Sequence, residues 1–265
     1  MTKSAWERVQ MARDPKRLKA MDVIRYLTDT FIEFHGDRCF GDDGAIIGGI
    51  GTMAEMPVTI LAQAKGHTTQ ENIQRNFGMP SPEGYRKVMR LAKQAEKFHR
   101  PILNIVDTPG AYPGKGAEQR GQAQAIASCL ACFSDLKTPV ITLVIGEGGS
   151  GGALAMSVCD EWIMLENAVY SILSPEGFAS ILWKDASLAQ KASEAMKMTS
   201  YDLEAKGLVD WIVPEPDQGI QSDAMAVIAQ IQSHLIDKFQ TLLKVKPNEL
   251  VRLRQKKIRK MGVPA

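Results

Sequence analysis

The sequence predicts an α/β protein. Strand-like apolar runs alternate with helical segments from Tyr85 onward, two of those runs end in glycine-rich turns, and no internal repeat or low-complexity linker interrupts the chain. The first segment, through about Gly36, has helical spacing, with Met21, Ile24, Leu27, Phe31 and Phe34 recurring on one face until Gly36 ends it. Two β-rich runs follow, AIIGGIGTMA and PVTILAQAKG, joined by a short Glu55-Met56 break that suits antiparallel neighbours. HTTQENIQRNFGMPSPEG reads as a polar loop. Then come helix YRKVMRLAKQAEKFHR, strand PILNIVD, helix EQRGQAQAIASCLACF, strand PVITLVI, helix GALAMSV and strand EWIMLENAVYSIL, a rhythm that predicts parallel strands with crossover helices. Beyond Ser174 the pattern is mainly helical. It includes a short strand WIVPEP, an amphipathic helix from about Ile220 to Leu243, and the basic run RLRQKKIRKMG.

At 265 residues, 45% hydrophobic and 23% charged, the chain is long enough to bury a sizeable core. We read one domain: a helical segment over 1–36, a core over 45–245 and a basic tail over 246–265. With 32 basic against 30 acidic residues, the net charge of +2 gives no sequence-wide field toward nucleic acid or membrane, so electrostatic recognition must be local. RNFGMPSPEGYRKVMR and RLRQKKIRKM are the local candidates, for phosphates or a partner chain. A solvated helical face is the plainer reading of the second, and no nucleic-acid module is visible. The amino terminus is charged from the start, and no apolar run is long enough to span a bilayer, so a cytoplasmic location is expected. Cys39, Cys129, Cys132 and Cys159 read as reduced core residues. Cys129-Leu-Ala-Cys132 is formally C-x-x-C but has no second pair to complete a zinc tetrahedron.

Chemistry is expected at the turns DTPGAYPGKGAEQRG and GEGGSGGALAMS, where strands hand over to helices and first-turn N–H groups are left free to face a ligand. The second turn satisfies several patterns. Gly146 to Gly151 matches G-x-G-x-x-G, with Glu166 near the place of a ribose-binding acid, but the following helix is short for a dinucleotide fold. Gly148 to Gly152 matches G-x-S-x-G and would make Ser150 a nucleophile. The one downstream histidine, His234, lies in an amphipathic helix rather than on a loop facing the serine. A P-loop is excluded, since no G-K-[ST] follows. The remaining functional reading is a set of backbone N–H groups forming an oxyanion hole without a protein nucleophile, against a tight turn that needs small residues for packing alone. Glu147 and Glu176 are the nearby carboxylates, each with a solvated or capping role expected.

GDRCFGDDGAIIGGIG, RNFGMPSPEGYRKVMRLA, DTPGAYPGKGAEQRGQ, VIGEGGSGGALA and YSILSPEGFASILWKD, in this order, make the chain resemble the alpha-subunit family of bacterial acetyl-CoA carboxylase carboxyltransferases over nearly its whole length. Many members carry an additional helical segment ahead of Ala5-Trp6-Glu7, a departure that bears on N-terminal contacts. The resemblance implies a crotonase-like (ClpP/crotonase) fold with helical N- and C-terminal extensions. It also implies an α2β2 assembly in which a related beta subunit with a zinc ribbon completes each site, so no metal is expected in this chain. The expected reaction moves the carboxyl group from carboxybiotin, carried on the biotin carboxyl carrier protein, to acetyl-CoA, giving malonyl-CoA for fatty acid biosynthesis. ATP is used only by the separate biotin carboxylase. By the same resemblance Gly152 and Ala153 match the N–H pair on the biotin ureido oxygen, Gly110 and Ala111 the neighbouring wall, and Gly148, Gly149 and Gly151 further substrate contacts, within a register of about one residue.

Overall fold

The apolar runs fold into one mixed eight-stranded sheet in the computed structural model, which describes residues 3–262. The N-terminal segment is not one helix. It forms α1 (Ala5–Arg13), α2 (Ala20–Leu27) and then an edge strand, β1 (Thr30–Glu33). The helical spacing fails after Leu27 because β1 pairs antiparallel with β2 (Ile46–Met53), Phe31 opposite Gly51, so Phe31 packs across a sheet rather than along a helix.

β2 and β3 (Met56–Gln63) form the expected antiparallel hairpin, but its two-residue turn is Ala54-Glu55, both at positive φ as a type I′ turn requires. The expected polar loop contains α3 (Thr69–Gln74) and a left-handed turn at Asn76, Phe77 and Gly78 before α4 (Pro82–Lys97) begins. From there the parallel rhythm holds: β4 (Ile102–Thr108), α5 (Lys115–Gln119), α6 (Gln122–Asp135), β5 (Val140–Gly149) and α7 (Ser150–Leu154). The run EWIMLENAVYSIL divides into β6 (Glu161–Leu165) and β7 (Val169–Ser171). Both are parallel to β5, β6 alongside its first half and β7 alongside its last three residues.

The chain then passes through α8 (Pro175–Trp183), α9 (Ala189–Met196), α10 (Ser200–Ala205), β8 (Trp211–Val213), α11 (Ala224–Leu242) and α12 (Pro247–Lys260). The sheet order is β1-β2-β3-β4-β5-β6-β8, with β7 branching from β5. Central strands β4 and β5 are buried along nearly their whole length, which matches their unbroken apolar sequences.

The basic run at the C-terminus was expected to be a solvated face, and one residue departs from that. Arg254 is buried. It donates to Asp160 at 2.9 and 2.7 Å and to the carbonyls of Phe133, Leu136 and Thr138, so it docks α12 onto the end of α6 and the start of β6. Arg252, Lys256, Arg259 and Lys260 are not buried, and residues 263–265 of the expected tail lie outside the described residues.

Candidate active site

β4 and β5 are adjacent and parallel, so both glycine-rich turns leave the same edge of the sheet. A register shift between Val106 and Thr108 brings Thr108 opposite Gly148. The turns then touch through backbone. A Cβ on Gly149 would overlap the carbonyl of Pro109, and one on Gly152 would overlap Ala111 N and lie 2.6 Å from Gly110 C. Packing alone therefore requires glycine at 149 and 152, and Gly148, which lies against the Tyr170 ring, is held the same way. Gly151 is different: its nearest neighbour would be Ile126 Cγ2 at 3.8 Å, so the space beside it is open.

The donors this contact leaves free can be named. Gly110 N–H goes to Thr108 Oγ1 at 3.1 Å and Tyr112 N–H to Pro80 O at 3.0 Å, while Ala111 N–H, between them, has no acceptor among the described residues. Across the contact, Gly151 and Gly152 open α7, where N–H groups have no intrahelical partner. Gly110, Ala111 and Gly151 are half-buried and Ser150 is exposed, whereas Gly148, Gly149 and Gly152 are buried. Ala153 is 0% exposed and belongs to the core cluster, so its N–H does not reach solvent. Both residues expected from the sequence to supply the donor pair are thus buried, Gly152 against the Gly110-Ala111 backbone and Ala153 in the core.

Beside the turns lies an ion network that the sequence did not reveal. Arg13, the last residue of α1, donates to Glu147 Oε1 at 2.7 Å and to Glu176 Oε1 at 2.7 Å. Lys65, just past β3, reaches Glu147 Oε2 and Asp107 Oδ1, each at 2.8 Å. Neither glutamate is a free solvated carboxylate. Burial pushes the Glu147 carboxyl up, but Lys65 and Arg13 outweigh it and hold the group below its ordinary value. Glu176 is likewise lowered, burial being overcome by Arg13. A carboxyl depressed on folding stabilises the fold above its unfolded value near 4.5 and loses that contribution as pH falls through the lower folded value. Arg13→Gln is therefore expected to move the acid limb of unfolding to higher pH. Melting curves taken between pH 3 and 6 measure this, and coincident limbs for wild type and mutant would count against it.

The sequence matches the family described as acetyl co-enzyme A carboxylase carboxyltransferase-like over residues 2–262. The chain belongs to that family. It is 55% identical over 257 residues to the acetyl-coenzyme A carboxylase carboxyl transferase subunit alpha of Clostridium acetobutylicum, covering 97% of this chain and 94% of the relative. It is 53% identical to part of a Clostridium tetani protein described as subunits beta/alpha, covering 97% of this chain and 45% of that one. Among solved structures, a Pseudomonas malonate decarboxylase hetero-tetramer in complex with coenzyme A superposes with a TM-score of 0.65 at 19% identity, over 83% of this chain and 90% of that one. The fold is thus the crotonase-like carboxyltransferase fold expected from the resemblance.

In this carboxyltransferase-family chain the competing motif readings fail on geometry. Ser150 has the positive φ of 53° seen at strained strand-to-helix turns, but among the described residues no histidine or carboxylate is hydrogen-bonded to its hydroxyl. His234 accepts or donates a 2.9 Å bond with Glu161 and stacks on Trp211, at the opposite end of β5, where Glu161 pairs alongside Ile141. Ser150 lies nine residues further along, about 30 Å at ~3.3 Å per residue. Ser150→Ala in the assembled enzyme is accordingly expected to keep kcat within about threefold, roughly 0.7 kcal/mol. Loss to background together with labelling of Ser150 by a fluorophosphonate would restore the hydrolase reading. Glu166 is no ribose ligand: it accepts from Glu215 N–H at 3.0 Å and pairs with Arg8. Burial raises the thiols of Cys129 and Cys132, and among the described residues no group of three or more His, Cys, Asp or Glu is placed to hold a metal. No described helix is long and apolar enough to cross a membrane.

Proposed function

We propose that the chain acts as the alpha-type subunit of an acetyl-CoA carboxylase carboxyltransferase, and that its two touching turns hold the ureido oxygen of carboxybiotin while the carboxyl group passes to acetyl-CoA. The observation that supports this reading is the backbone contact between Gly152 and Gly110-Ala111, which brings the turn with the unpaired Ala111 N–H against the first turn of α7. As the N–carboxyl bond of carboxybiotin breaks, its electron pair passes into the ureido group and the oxygen gains negative charge. Fixed N–H donors stabilise that charge by about 3 kcal/mol each. The proton leaving the acetyl methyl group then passes to the ureido nitrogen, and the methyl carbon bonds to the released carbon dioxide, so no side-chain base is required. Ala111 with Gly151 and Gly152 would bind the oxygen, Gly110 would form the adjoining wall, and Gly148, Gly149 and Ala153 would set the spacing of the turns from behind.

The alpha-subunit name of one relative and the beta/alpha description of another support a beta-type partner chain; we extend this to an α2β2 enzyme supplied by the biotin carboxyl carrier protein and biotin carboxylase. We place the whole described chain in one carboxyltransferase domain, its core over 45–245. The test is malonyl-CoA decarboxylation by this chain reconstituted with its beta-type partner, free biotin serving as acceptor. Turnover should rise with biotin concentration and saturate; turnover indifferent to biotin would sink the proposed site.

A further inference from the structure

We infer that Gln63 is a positioning residue for carboxyl transfer, one that aims the N–H donors of the Gly151-Gly152 turn by gripping the Gly152 carbonyl. The inference rests on the oxyanion reading of that turn. α7 has five residues, too few to fix its own geometry by ladder bonds. In a regular helix Gly152 O would accept from Met156 N–H, but Met156 N–H goes to Ala153 O at 3.1 Å. Gly152 O is released from the ladder, and Gln63 takes it: Gln63 Nε2 donates at 2.7 Å, with Tyr85 Oη behind at 3.4 Å.

Gln63 ends β3 with 0% exposure, and its Oε1 has no partner among the described residues. An amide buried with one end unpaired costs free energy, and a residue chosen for packing alone would be apolar. Its Nε2 bond to Gly152 O is the gain that offsets that cost. Because backbone C=O and N–H groups of a helical turn point in opposite directions along its axis, fixing Gly152 O from below sets the direction in which Gly151 and Gly152 present their N–H groups. The deeper end of the same segment is pinned in the same manner. Asn104 Nδ2 and Thr142 Oγ1 each reach Met156 O at 2.9 Å, and Ser157 Oγ reaches Ala153 O at 2.8 Å. Gly152, in the turn itself, is held by Gln63 and, at longer range, by Tyr85, and Gln63 makes the shorter bond.

The experiment compares Gln63→Met, which keeps length and loses the donor, and Gln63→Asn, which stays polar but is one methylene too short to reach. Both are examined in the reconstituted complex, with rates normalised to assembled enzyme by gel filtration. Misplacing the donors by a fraction of an ångström to an ångström should lower kcat for biotin-dependent malonyl-CoA decarboxylation by about tenfold to a hundredfold, with KM for malonyl-CoA within about twofold. Tyr85→Phe, removing the longer bond, should cost less than about threefold. A purely structural Gln63 would lower the yield of complex and leave kcat per complex unchanged; that result, or a loss confined to KM, overturns the inference. Gly152→Val is run alongside. If it too leaves kcat intact, the oxyanion reading itself has failed; if it abolishes turnover while both Gln63 variants do not, only the role of Gln63 falls.

Discussion

Gly152→Val is expected to lower kcat of the assembled enzyme by about a hundredfold or more, the size of effect seen when one oxyanion donor is lost. A valine at 152 would not act simply by crowding an approaching ureido ring. The position of a Cβ at residue 152 is occupied by the backbone of Gly110 and Ala111, so the side chain would drive the two turns apart rather than project into the site. Separation moves Ala111 N–H and the Gly151-Gly152 N–H groups relative to one another, and donors that must converge on a single oxygen tolerate little displacement. The rest of the sheet need not follow, because β4 and β5 are paired from Ile102 to Val106 well before the turns begin. The measurement is gel filtration with the partner chain, then biotin-dependent malonyl-CoA decarboxylation. A mutant that assembles and keeps kcat within about twofold, roughly 0.4 kcal/mol, shows that these turns do not bind the reacting oxygen.

What was legible in the sequence is what depends on local pattern. The β2–β3 pair and the alternation from α4 to α7 follow from apolar runs bounded by glycine and proline, and the convergence of the turns follows from two parallel strands ending at one edge. What was missed depends on partners distant in sequence. Arg13 meets Glu147 and Glu176, 134 and 163 positions away, and no periodicity marks such a pair. Arg254 looked like one more charge in a basic run, yet it is fully desolvated by carbonyls that no side-chain pattern displays. β1 was lost because Phe31 and Phe34 continue a helical spacing by coincidence, and pairing with β2 decides the matter. The glycines were read chiefly as ligand access, whereas at 149 and 152 they are first a condition for the two turns to meet.

The chain purified alone is expected to form no malonyl-CoA from acetyl-CoA and carboxybiotin. Ala111 and Gly151 are half-buried, and two large apolar side chains close to them in the chain or the sheet are without cover: Leu154 on α7 and Ile172, just past the β7 residue that pairs with Gly149. Ile172 is 77% exposed, an exposure that an apolar side chain beside a reaction site retains only at the expense of aggregation or until a second chain covers it. Covering matters to the chemistry as well as to solubility. An N–H donor facing bulk water stabilises a developing oxyanion far less than one in a closed, low-dielectric site, so the proposed half-site would lack on this chain alone the enclosure its donors require. On the function proposed above, the covering partner is the beta-type chain. The test is to assay the isolated chain, then titrate in the partner: turnover should be at background without it and rise to a plateau at a fixed stoichiometry. Saturable, biotin-dependent turnover by the chain alone would refute the shared site.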